Sequence, residues 1–147
     1  MRILAVDPGE KRIGIAISDP THTIANPLII LTHKSRKVDA AAIVHLAAEN
    51  NAGLIIVGQA LNADSLPTYQ SKRAERLAEE IRFISDIDVA LWDEGGSTQA
   101  ARDAQITMGV SRSKRRSHVD DIAAAFILQT FLDSAEIKKL VKTESEI

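Results

Sequence analysis

The sequence predicts an α/β domain on a mixed five-stranded sheet, the first three strands antiparallel, the later ones parallel, with helices flanking them. Three observations carry that prediction. Residues 3–31 hold three apolar or alternating segments joined by short turns, the pattern of a meander. From Val38 onward, helical periodicity alternates with short apolar runs, as in parallel strands joined by crossover helices. Residues 122–128 are apolar almost all round, which calls for a central, buried helix.

Each element follows in turn. Ile3 to Val6 is a continuous apolar run, as in a strand buried on both faces, and Asp7-Pro8-Gly9-Glu10 is turn chemistry. Ile13, Ile15 and Ile17 alternate with Gly14, Ala16 and Ser18, a period-2 strand with one face of small side chains. Gly14 is expected to let a helix pack closely on the sheet. Asp19 before Pro20 ends this strand as a turn-former rather than a ligand. Ile24 to Leu31 is a third strand, and Pro27 within it argues for an edge. Val38, Ala41, Ala42 and Leu46 give a helix that ends near Asn50-Asn51, with Gly53 marking the break. Leu54 to Val57 is a fully apolar strand closed by Gly58. Ala74, Leu77, Ala78 and Ile81 stripe a helix whose other face carries Lys72, Arg73, Glu75, Arg76, Glu79 and Glu80. Val89 to Trp92 is the fifth strand. Ser97 is a fair N-cap for a helix reaching Met108, residues 109–117 form a loop, and Asp120-Asp121 open the last helix.

A chain of 147 residues holds one core and needs no disulfide or structural metal to fold, so residues 1–147 are expected to form a single domain with a polar tail from about 134 to 147. With Cys 0, thiol catalysis and cysteine-ligated zinc are excluded. No apolar run approaches the ~20 residues of a membrane helix, and the start reaches Asp7 too soon for a secretory signal. A cytoplasmic location is expected. The net charge of -2 does not advertise a nucleic-acid partner, and five aromatic residues argue against an extended stacking platform. Charge is segregated, however: residues 110–118 hold four cations and no acid, which keeps a polyanion in view.

Acids at strand ends are the informative feature. Asp7 follows the first strand and Asp93-Glu94 the fifth. If these strands are parallel, their carboxyl ends share the edge where open α/β sheets place their sites. Carboxylates converging there share a proton or hold a divalent cation, and oxygen ligands favour Mg²⁺ or Mn²⁺ over zinc. Asp120 or Asp121 is the third candidate; a capping role for Asp120 within Ser117-His118-Val119-Asp120 is equally natural. Arg112, Lys114, Arg115 and Arg116 are candidates for phosphate contact, and Lys11 and Arg12 beside Asp7 are weaker ones. His22, His33, His45 and His118 form no ligand pattern.

The stretch from Leu4 to Asp19, with Asp7-Pro8-Gly9, Arg12, Gly14 and Ser18-Asp19, resembles the opening of the YqgF/RuvX family. Ile56-Val57-Gly58 with Leu61-Asn62, then Asp93-Glu94, then Val119-Asp120 with Ile122-Ala123-Ala124 match in order, so the resemblance spans residues 2–133. The family is described as RNase H-like, and its members as Holliday-junction resolvases and as nucleases that mature the 5′ end of the small-subunit ribosomal RNA precursor. The resemblance implies an RNase H-like fold and a metal-dependent phosphodiesterase. It also implies carboxylate ligands at Asp7, Glu94 and Asp120, in a site like those of two-metal nucleases. Gly95-Gly96 stand where the family usually has Arg and Leu, and the missing Arg removes a natural phosphate contact.

The partner implied is nucleic acid, an RNA precursor ahead of branched DNA, with association to ribosome assembly and a monomer or weak dimer as the working state. Two other classes remain beside it. One is a nucleotide phosphotransferase of the actin or sugar-kinase type, which clamps ATP between two such domains. The other is a catalytically weak nucleic-acid or ribosome-assembly binding module.

Overall fold

The computed structural model describes residues 1–59, 68–93 and 112–134, except for the side chains of residues 70 and 112–121. Its elements are β1 (Arg2–Pro8), β2 (Arg12–Ser18), β3 (Ala25–Thr32), α1 (Arg36–Glu49), β4 (Ala52–Gln59), α2 (Tyr69–Ile84), β5 (Asp88–Asp93) and α3 (Arg112–Leu132). Among the described residues the strands form one sheet in the order β3-β2-β1-β4-β5. β1 pairs antiparallel with β2, and β2 with β3; β1 with β4 and β4 with β5 are parallel. This is the predicted topology. The helix expected from Ser97 to Met108 lies outside the described residues.

Ile3, Leu4, Ala5 and Val6 are completely buried because β1 is the central strand and both its faces are covered. Leu4 and Val6 join Ile13, Ile15, Ile17, Ile55 and Val57 in a core covered by Ala40, Ile43 and Ala47 of α1 and Ala74, Leu77, Ala78 and Ile81 of α2. Ile3 and Ala5 face the other way, with Ala16, Leu54 and Ile56, against Ala124, Leu128, Phe131 and Leu132 of α3. The small face of β2 is therefore the α3 face, as the close-packing expectation for Gly14 requires.

β3 is an edge strand, and Pro27 sits opposite Ala16 where the β2–β3 register slips. An amide-free residue is tolerated where the ladder is already irregular. Ser18, 2% exposed, accepts a hydrogen bond from Ile3 N at 2.9 Å and fixes the end of β2 to the start of β1. The turn that follows is built by Asp19. Its carboxylate accepts from Ile24 N at 2.9 Å, from the Thr21 hydroxyl and from Thr23 N at 2.7 Å. These donors hold the carboxyl far below its usual range. The expected turn role of Asp19 is thus what the chain uses.

Two expectations need correction. The inward face of α1 is Asp39, Ala40, Ile43 and Ala47, while Val38 is 49% exposed and Ala41 is also at the surface. The helix is turned by roughly 140° from the predicted stripe, counting about 100° per residue. Alanine on every side gives α1 little apolar contrast, and Asp39 decides its rotation: the buried carboxylate accepts from Lys34 N at 3.1 Å and bonds His33 Nδ1. Asn51, not Gly53, takes the left-handed backbone after this helix, at φ 54.

The second correction concerns α3. Residues 112–117, expected as loop, are its first turns, so Ser117 is no cap and Asp120 lies in the helix interior. No Gly or Pro follows Gly109, and Lys and Arg are good helix formers. The later start rested on the capping-box pattern Ser117-His118-Val119-Asp120 and on acids favouring a first turn, whereas the first turn observed holds no acid.

Leu128→Ala should cost about 2–5 kcal/mol in urea denaturation with an unchanged m-value, because Leu128 is fully buried between α3 and the sheet. Asp19→Ala should lower the melting temperature at pH 7. The folded carboxyl is depressed, so its contribution is complete above the ordinary carboxylate pKa of about 3.9 and fades as the pH falls further. A melting curve series from pH 7 to pH 2.5 should show the gap between the two proteins closing.

Candidate functional site

The parallel strands β1, β4 and β5 end on one edge of the sheet. Val57 pairs with Val6 on one side and Leu91 on the other, and Gly58 pairs with Trp92. Asp7 pairs with Gly14 across β2. One step along from Val6 and Val57, the row across the sheet therefore runs Gly14, Asp7, Gly58, Trp92. Side chains alternate along a strand, so Asp7 shares the α3 face with Ile3 and Ala5. Both cross-strand neighbours of this half-buried carboxylate are glycines, which project no side chain over it.

The turn after Asp7 is tightly constrained. Gly9 N donates to Arg12 O at 3.0 Å, and a Cβ on Gly9 would stand 2.4 Å from that same oxygen. Only glycine fits there without moving the backbone. Arg73 of α2 donates from Nη2 to Gly9 O at 2.8 Å, and His33 N donates to Lys11 O at 2.9 Å. The turn beside Asp7 is thus held from α2 and from the end of β3. Lys11 and Arg12 are exposed within it. Beside it, Gln59 at the end of β4 donates to Glu75 of α2 at 3.1 Å.

The other predicted acids are distributed as follows. Asp93 ends β5 on the same side as Val89 and Leu91, the α1–α2 side, and so faces away from Asp7. Glu94 lies outside the described residues, as do Gly95 and Gly96. Asp120 and Asp121 lie on α3, as do Arg112, Lys114, Arg115 and Arg116, and their side chains are likewise outside the described set. Among the described residues no group of three His, Asp or Glu is gathered as a metal site. The chemistry at Asp7 nevertheless fits a hard divalent cation: an oxygen donor at a strand end, two side-chain-free neighbours, and cysteine absent from the chain.

Three side chains were missed as parts of a constructed edge. Arg73 looked like one charge of a solvated helix face, yet it binds the turn. His33 and Asp39 form a pair in which Asp39 is 4% exposed. Their six-residue separation spans a strand end and a helix start, which no periodicity rule connects. The one sequence signal was Asp39 itself, an acid just ahead of the apolar run Ala40 to Val44.

The family described as RuvX: Holliday junction resolvase matches residues 1–134. A protein of Chelativorans sp. named "Putative pre-16S rRNA nuclease" is 43% identical over 133 residues, 89% of this chain and 82% of that one. A protein of the same name from Thermoanaerobacter pseudethanolicus is 37% identical, over 94% of this chain and 100% of its own. Among solved structures, the Fowlpox virus resolvase bound to Holliday junction DNA superposes with a TM-score of 0.55 at 18% identity, covering 92% of this chain and 99% of that one. T. thermophilus RuvC with a Holliday junction substrate gives 0.52 at 14% identity, over 86% and 91%. These two likenesses establish the fold, which is RNase H-like, and the sequence match establishes the family. The chain belongs to the RuvX family.

Proposed function

We propose that this chain is a divalent-metal-dependent nuclease that cleaves phosphodiester bonds in structured nucleic acid. The favoured substrate is the precursor of 16S ribosomal RNA, processed at its 5′ end. The observation that carries the reading is Asp7, set on the α3 face at the end of the central strand between two glycines. The names of the relatives support an rRNA substrate; the family description favours a Holliday junction as the second reading. A single domain over residues 1–147, a cytoplasmic location and a monomer or weak dimer complete the proposal.

Asp7, Glu94 and Asp120 would hold Mg²⁺ or Mn²⁺. When bound, the cation supplies Lewis-acid stabilisation of phosphate charge and makes a water nucleophilic near neutral pH. The residues' own task is to concentrate negative charge where a cation offsets it. Trp92 belongs to the α3 face and Asp93 to the opposite one, which argues against Asp93 as a ligand; Glu94 is assigned by its match to the family motif.

The helix supports Asp120 through its length. Gln129 donates to Thr23 O and accepts from Ala25 N, both at 3.0 Å, at the sheet end where β1 begins. Nine residues back along α3 is ~13.5 Å of rise, and Ile3 to Asp7 along β1 is ~13 Å. Ala124 packs in the cluster of Ala5 and Ala16, two residues short of Asp7, as a helix running back toward that edge requires. Asp120 also lies within about 30° of the centre of the buried stripe Ala123, Ala124, Ile127, Leu128, Phe131 and Leu132, whereas Asp121 lies about 70° from it.

Lys11, Arg12, Arg112, Lys114, Arg115 and Arg116 are assigned to the phosphate backbone. Four of them fall in the first turns of α3, where their charge opposes the helix dipole and a polyanion would relieve the conflict.

A cleavage assay with pre-16S RNA and branched DNA, with and without Mg²⁺ or Mn²⁺, tests the proposal. Asp7→Asn and Asp120→Asn should each lose nearly all metal-dependent cleavage while remaining folded, and Asp121→Asn should keep most of it. Full activity in folded Asp7→Asn would remove the proposed site. Replacing Arg115 and Arg116 together by Ala should flatten log affinity against log salt by up to about 1.8 on duplex DNA and ~1.4 on single strands. An unchanged slope would assign these residues to solvent.

A further inference from the structure

On the opposite side of the sheet from Asp7's face, the same edge carries a cleft of about 540 Å³. It lies between the β1–β2 turn, the end of β3, the start of α1 and the first turns of α2. Pro8 and Gly9 form one wall, directly after Asp7, and Arg36, Arg73, Arg76 and Tyr69 stand on the others. Its volume falls in the ~300–1,000 Å³ range of ligand sites.

The lining selects a ligand class. Three guanidiniums from two helices face one cavity, although the chain as a whole is acidic. Glu10 and Asp39 also line it, but Asp39 is engaged by His33 and the Lys34 amide rather than by the cleft arginines. Arg73 is committed to Gly9 O through Nη2, which leaves Arg36 and Arg76, both at the surface, as the cations available to a ligand. Tyr69 is 71% exposed at the first position of α2, an aromatic ring at the mouth of a cationic cleft. Hydrophobic burial does not explain that exposure. Arginine forks match phosphate oxygens, and an exposed ring offers a base a stacking face.

We propose that this cleft binds a single-stranded segment of nucleic acid, with one base stacked on Tyr69 and the adjoining phosphates held by Arg36 and Arg76. The segment would be a flank of the nucleic acid cut at the other face. Through Pro8, Gly9 and the Arg73 clamp, an occupied cleft bears on the turn that follows Asp7. The inference rests on the nuclease reading for its ligand class, and its test is arranged to stand apart from catalysis.

Binding of a fluorescent octauridylate is measured by anisotropy in EDTA, where metal-dependent cleavage is off, beside an abasic octamer and inorganic phosphate as competitor. Tyr69→Ala should weaken octauridylate binding ~5–150-fold and leave the abasic strand unaffected. Arg36→Ala with Arg76→Ala should weaken both strands and reduce the salt slope by up to ~1.4. All three side chains are exposed or rim residues, so circular dichroism should be unchanged. Unaltered octauridylate binding in both variants, or no measurable binding by the parent protein, overturns the proposal. Competition by phosphate alone, with no effect of Tyr69→Ala, would reduce the cleft to a simple anion site and also overturn it. Loss of cleavage in Asp7→Asn with these affinities intact would separate the cleft from the metal site; cleavage surviving Asp7→Asn would sink the nuclease site without touching this result.

Discussion

Burial of β1 on both faces is the constraint on which the rest of the structure depends. Four consecutive residues, Ile3 to Val6, have no solvent exposure, so the strand must lie mid-sheet with helices on either side. The continuous run ends at Asp7, where the first carboxylate of the strand meets the sheet edge. Continuing the strand further inward would bury a charge at a cost of several kcal/mol, so the acid and the edge coincide for a physical reason. α3 covers one face and the α1–α2 pair the other. The edge therefore has two different surfaces: one carries Asp7 between Gly14 and Gly58, the other the arginine-lined cleft.

The turn between β1 and β2 joins those surfaces. Gly9 admits no side chain because the Arg12 carbonyl occupies the place of its Cβ, and Arg73 reaches from α2 to the Gly9 carbonyl. Asp7 is consequently carried on backbone fixed at both ends, by the sheet ladder before it and by the turn and α2 after it. Preorganisation of this kind is what a charge-concentrating site requires, since a carboxylate that can swing away lowers its repulsion by moving instead of by holding a cation.

Much of the fold was legible in the sequence, because it is written in apolar runs. β1, β4 and the small face of β2 have patterns that only a covered central sheet satisfies, and Pro27 announced the edge. The face of α1 was not legible. Alanines surround that helix, and the decisive contacts of Asp39 with His33 and Lys34 are tertiary. The start of α3 was misjudged because Ser117-His118-Val119-Asp120 has the pattern of a helix start, and the helix instead begins earlier, at Arg112. Of the candidate site, Asp7 was readable from its place after an apolar run. Arg73 was not, since a surface-facing arginine in a charged stripe gives no sign that it binds a turn far away in the chain. The cleft was invisible for the same reason: its walls come from four elements.

The central claim is that acids from separate chain segments form one cation site at the Asp7 edge. Mn²⁺ titration followed by electron paramagnetic resonance, on the parent protein and on folded Asp7→Asn, Glu94→Gln and Asp120→Asn, tests it without recourse to any substrate. The account predicts that each single change removes the same Mn²⁺ binding and that combining two removes no more. Undiminished Mn²⁺ binding in Asp7→Asn would contradict it.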